Sequence, residues 1–226
     1  MLNFNEVKTM SKVDEFINHE KTHYGKLFVD ISYAIDNVSP FLDNVILSRR
    51  KYVVKLAILK KYMDLLESTE SEIKHGSFFN KFKSDKYIYL LNTYKEDNLE
   101  SIEQLKNCSS CQCLNCTIDC KFGSCLACKS DSFIAYCDRK KINVTKHYNF
   151  NLTLTNNKTN QDSKYTTLAT LQNVGNDKKY IIIQDIITRE KFILYYYPGI
   201  SEDNYGEITD PGEFDFIVST FQTIDK

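Results

Sequence analysis

The sequence predicts an α+β protein: an N-terminal antiparallel helical region, a central cysteine-rich module, and a C-terminal antiparallel β-sheet with a final helix. Three observations carry this. Apolar residues recur at helical spacing through residue 107. All eight cysteines fall between Cys108 and Cys137. From residue 132 onward the chain turns to β-branched and aromatic runs separated by Asn- and Gly-containing turns. The expected boundaries are 1–107, 108–137 and 138–226, with the first strand overlapping the end of the cysteine segment.

In the first region Val13, Ile17, Tyr24, Leu27, Ile31, Ile35 and Val38 fall on one face of a long helix, with Ser11 as N-cap. Ser39-Pro40 closes it and opens the next, because proline disfavours helix before it and suits a first turn. One second helix is expected through Leu42, Val45, Ile46, Val53, Leu56, Leu59, Met63 and Leu66. The short turn pairs the two antiparallel. The stretch from Ser68 to Lys74 is polar and reads as a break. A shorter helix is expected through Phe78, Phe79 and Phe82, another through Tyr87, Leu90, Leu91 and Tyr94, and a last one capped by Asn98.

Strands are expected at Ser132 to Cys137, Ile142 to Tyr148, Asn149 to Thr155, Tyr165 to Gln172, Lys179 to Ile187 and Lys191 to Tyr197. Gly175-Asn176-Asp177 is a hairpin turn. Asp210-Pro211-Gly212 opens a C-terminal helix with Phe214, Ile217, Val218 and Phe221 on one face.

Within these last residues, Lys191-Phe-Ile-Leu-Tyr-Tyr-Tyr-Pro, an acidic turn, Glu207-Ile-Thr and Glu213-Phe-Asp-Phe-Ile-Val with Phe221 form a recognisable series. Residues 179–224 resemble the small YrzB-like domain of low-GC Gram-positive bacteria, a strand ending in Tyr-Tyr-Pro followed by an acidic loop and a helix. The resemblance implies a bacterial or phage source and carries no catalytic residues with it.

The cysteines are Cys108, Cys111, Cys113, Cys116, Cys120, Cys125, Cys128 and Cys137, and three pairs have C-x-x-C spacing. Zinc prefers four thiolates in a tetrahedron, and C-x-x-C lets one tight turn present two. Eight thiolates match about two closed zinc sites. The segment has little apolar content, and metal binding would supply its folding energy. If each C-x-x-C pair stays together, three pairings satisfy the spacing, and the sequence does not choose among them. An iron–sulfur cluster is the alternative, since Cys120, Cys125 and Cys128 match plant-type ferredoxin spacing. Disulfides would suit the Asn-x-Ser/Thr sequons at Asn107, Asn115, Asn143, Asn151 and Asn157, but the N-terminus has no apolar signal-peptide core. A redox C-x-x-C normally stands alone, unlike this dense cluster. His19, His23, His75 and His147 lie outside the segment. His19 and His23, one helical turn apart, read as exposed helix residues.

The net charge of −1 argues against a general polyanion binder. From Ser101 to Lys141 there are six basic and four acidic residues, and metallated thiolates would make that stretch negative. The best basic patch is Arg49, Arg50, Lys51 and Lys55, continuing to Lys60 and Lys61, with no acid between Asp43 and Asp64. It is the expected contact surface for an acidic protein or, alternatively, nucleic acid. No apolar run reaches the roughly 18 residues of a membrane span, so a cytoplasmic location is expected. No phosphate loop, G-x-S-x-G or H-E-x-x-H is present. The expectation is a non-catalytic zinc-binding protein, regulatory or inhibitory, with a protein partner ahead of nucleic acid, and with the N-terminal helices available for homo-oligomerisation.

Overall fold

The computed structural model describes residues 11–75, 84–120, 122, 128, 131–155 and 160–224. The helix expected through Phe78, Phe79 and Phe82 lies outside them, as does Cys125. Half of the described residues are helical and a quarter lie in one antiparallel sheet, as the α+β pattern requires.

Helix α1 spans Lys12–Val38. Ser11 and Asp14 form a reciprocal capping box, which satisfies two backbone N–H groups at the helix start. Val13, Ile17, Tyr24, Leu27, Ile31, Ala34 and Val38 are buried. A 3-10 turn at Ser39–Phe41 follows, then α2 at Asn44–Ser48, capped by Asp43. Helix α3 spans Lys51–His75 and runs antiparallel to α1: Lys21 pairs with Glu70, while a Cβ added at Gly25 would meet Met63 Cε at 3.5 Å.

Two features of this region differ from the sequence expectation. The second helix is broken at Arg49 and Arg50, dividing it into α2 and α3. Arginine is a good helix former, so the break is tertiary in origin: the Arg50 side chain is drawn inward to the cysteine segment. The second difference is at Ser68 to Lys74, which is helical. Thr69 faces the core, and Glu70 joins Lys21 across the interface and Lys74 along the helix. Those polar residues make helix–helix contacts rather than a loop.

Helix α4 spans Ser84–Asp97 and α5 spans Leu99–Ser109. Asn98 does not cap α5 with its side chain; Nδ2 donates instead to the Tyr94 carbonyl at 2.9 Å. The shared core holds Ile31, Tyr52, Leu59, Leu66, Ile102 and Leu105, and extends to Cys108 and Leu114. Within it Glu20 accepts from Tyr62 and pairs with Lys95 at 2.9 Å. Burial raises the Glu20 pKa, but these donors outweigh it and hold the carboxyl below its usual range.

The sheet contains β1 (Ser132–Cys137), β2 (Ile142–His147), β3 (Asn151–Thr155), β4 (Asp162–Asn173), β5 (Lys178–Asp185), β6 (Lys191–Tyr197) and β7 (Asn204–Glu207). The order is β1-β2-β4-β5-β6-β7, with β3 paired to β4 ahead of β2 on the same edge. Strand β5 is buried on both faces through Tyr180, Ile181, Ile182 and Ile183, which accounts for its unbroken apolar run. It stops at Asp185 instead of Ile187 because the Asp185 carboxylate accepts the N–H groups of Ile187 and Thr188 and turns the chain. Asp177, at φ 53°, closes the β4–β5 hairpin. Strand β7 was not expected from sequence; its acidic, short run carries no alternation, and its pairing with β6 is fixed by Tyr196 donating to Asp203 at 2.9 Å.

Helix α6, Pro211–Gln222, lies on one face of the sheet, with Ile217 and Phe221 against Ile142, Val144, Leu171 and Ile182. Phe214, expected in this stripe, is exposed. Glu213 faces the sheet, where it accepts from Lys178, Tyr180 and Tyr195. No helix among the described residues is long and apolar enough to cross a membrane.

Candidate metal centre

The cysteines gather where the helical core meets the sheet. Cys108 is on the last turn of α5, Cys111 to Cys120 follow in a loop, and Cys137 ends β1. Cys108 and Cys113 are buried, Cys111, Cys116, Cys128 and Cys137 are half-buried, and Cys120 is exposed. None of these seven is in a disulfide.

Backbone geometry points amides at the sulfurs. The Cys113 N–H donates to Cys111 Sγ at 3.4 Å and the Arg139 N–H to Cys137 Sγ at 3.3 Å. The Phe122 N–H does the same for Cys120. In each case the donor is two residues beyond the acceptor, so a tight turn after the cysteine supplies it. After Cys137 the turn is built by Asp138, whose Oδ1 accepts the N–H groups of Lys140, Lys141 and Ile142, with Arg139 at φ 63°. Such donors favour a thiolate over a thiol.

Side chains from the helices complete the setting. Gln104 lies four residues before Cys108 on the same face of α5. Its Nε2 is 3.7 Å from Cys108 Sγ and 3.3 Å from Cys128 Sγ, so one amide touches sulfurs from both ends of the segment. Cys128 Sγ in turn donates to the Ser132 carbonyl at 3.4 Å. Arg50 is only 3% exposed. It donates to the carbonyls of Cys113 at 3.0 Å, Cys116 at 3.3 Å and Ile118 at 3.3 Å. Tyr52 Oη donates to the Leu114 carbonyl at 3.1 Å. The loop is therefore held to α3 by its backbone.

The thiols respond differently to these surroundings. Cys111 is lowered to about 7, first by its contact with the Cys113 side chain, then by the N–H groups of Cys113 and Ile134 and the charge of Arg50, with burial opposing. Burial pushes Cys120, Cys128 and Cys137 upward. A divalent cation reverses that cost by pairing with the thiolates directly.

Among the described residues, no three His, Cys, Asp or Glu side chains are gathered closely enough to enclose an ion. The donor set nonetheless fits zinc. The candidate ligands are thiols, three of them accept a backbone N–H, and a buried guanidinium stands beside them. The four histidines take no part. His19 is exposed, His23 packs edge-on to Tyr24, His75 ends α3, and His147 meets Thr170 at 3.0 Å.

The basic patch is corrected by the structure. Arg50 belongs to the interior. Lys55 is largely covered, with Glu100 3.9 Å away, and Lys51 lies near Cys128. Arg49 is exposed. The four do not form one continuous exposed surface. Gln104 and Arg50 as partners of the cysteine segment were not recognised from sequence. Spacing from Cys108 could have indicated Gln104, whereas nothing local marks Arg50.

No family model, no curated protein and no solved structure matches this chain.

Proposed function

We propose that the chain is a non-catalytic zinc-binding protein that holds about two ions on its eight cysteines and acts by binding another macromolecule, a protein first of all, in a regulatory or inhibitory role. The observation that carries this is that a helix end, a loop and a strand end bring seven cysteines, none in a disulfide, to the join of two separate cores. Four thiolates fill a tetrahedral zinc site and leave no position for an activated water, so the metal's role is structural. Interaction is supported by exposed apolar side chains on the helical half, including Val29, Tyr33, Phe41 and Val45. These also suit a homo-oligomer formed through the N-terminal helices.

Elemental analysis of protein purified without added metal tests the reading. The expected result is colourless protein with about two zinc ions per chain. Brown, iron-containing protein would establish the iron–sulfur alternative instead. Metal-free, folded protein would overturn both.

A further inference from the structure

The cysteines separate into two groups that do not follow their order in the chain. Cys113, Cys116, Cys120 and Cys137 line a single cavity of about 230 Å³, and Arg50 is in its wall. Cys128 lines a different cavity, of about 420 Å³, against the sheet face that carries Asn143, Thr145 and His147. Gln104 joins Cys128 to Cys108 through its side-chain amide. Cys111 and Cys113 touch, which marks where the two groups abut.

We propose that Cys113, Cys116, Cys120 and Cys137, which line one cavity but stand too far apart to enclose an ion as they lie, draw together on metal binding as one four-thiolate site for zinc, with Arg50 as its buried counter-charge, and that Cys108, Cys111 and Cys128 belong to the other site. This rests on reading the segment as a metal centre. The charge balance supports it: a divalent ion with four thiolates carries a net −2, and burying that charge costs heavily unless a cation lies close by. Arg50 is buried in the wall of this cavity. Its three carbonyl bonds fix the guanidinium beside the first turn of the site before any ion binds. The ion would then join the loop after α5 to the end of β1.

Zinc stoichiometry in double variants separates the pairings. Wild type is expected to hold two ions per chain. C113S/C120S should retain one, because both substitutions fall in one site. C113S/C128S should retain none, because each site loses a ligand. Loss of both ions in C113S/C120S, with one retained in C108S/C113S, would overturn the assignment in favour of pairing by sequence order. Metal-free wild type would instead overturn the metal reading itself. Where a variant fails to fold, stepwise chelator extraction of wild type with alkylation and peptide mass spectrometry serves. Cys113, Cys116, Cys120 and Cys137 should become labelled as one set, separately from Cys108, Cys111 and Cys128. Labelling that mixes the sets would overturn the proposal.

Discussion

Replacing Arg50 with Met would remove its guanidinium from three carbonyls, of which that of Cys113 keeps the Cys116 N–H at 3.2 Å. A buried acceptor deprived of a charged donor costs about 2–3 kcal/mol. Arg49, next in the chain and exposed, should tolerate Ala within about 0.5 kcal/mol. The midpoint of urea unfolding, at unchanged slope, checks both. Equal costs at the two positions would mean that the inward course of Arg50 is unimportant. This pair also shows a limit of sequence reading. Two adjacent arginines in a run without acids look equivalent, and only a partner more than sixty residues away distinguishes them. Glu213 is a similar case: a pattern of apolar spacing ranks Phe214 above it, yet two tyrosines and a lysine make the glutamate the inward residue.

That glutamate joins α6 to the sheet and gives the element a pH dependence. The Glu213 carboxyl is held at about 2: burial raises it, but hydrogen bonds from Lys178, Tyr180 and Tyr195 more than offset this. A carboxyl lowered in the folded state contributes stability that is present above its ordinary pKa of 4.5 and is lost as pH falls toward 2. Glu213→Gln should therefore lower stability by about 1–3 kcal/mol at neutral pH and flatten the acid limb of the stability curve between those two values. Denaturation at a series of pH values measures it; an unchanged acid limb would exclude Glu213 as a source. The long period of α1 and the unbroken apolar run of β5 were legible in the sequence. The interruption at Arg50, the helical course of Ser68 to Lys74 and the short β7 were not, because tertiary contacts decide each of them.

At the scale of the molecule there are two apolar cores, one among α1, α3, α4 and α5 and the other between α6 and the sheet. The cysteine loop bridges them: Arg50 and Tyr52 hold it from the helical side, and Ile134 of β1 accepts the Gln112 N–H at 2.8 Å from the other. If ions hold this bridge, Cys125→Ser with Cys128→Ser should loosen it while leaving the helical core intact. Limited proteolysis would then cut between Asn107 and Lys141 and release an N-terminal helical fragment. Cooperative unfolding of the whole chain would show that the cores depend on each other. The cysteine candidates were legible from density and spacing alone. Their grouping was not, because Cys137 reaches the loop only through the fold of β1 onto β2.

Strand β1 is at the border of the sheet, with β2 on one side only. Such a border is a template for pairing with another chain unless something covers it. Here the cover is the cysteine loop. The Ile134 carbonyl is taken by Gln112, and its N–H is directed at Cys111 Sγ. Anything that displaces the loop also bares this strand, so a protein whose loop has been released should self-associate in a concentration-dependent way while its helices remain folded. Light scattering alongside far-UV circular dichroism would reveal it, and a displaced loop that left the protein monodisperse would mean the border is protected by other means. The loop that joins the two cores thus also occupies the outward main-chain groups of Ile134 on this border.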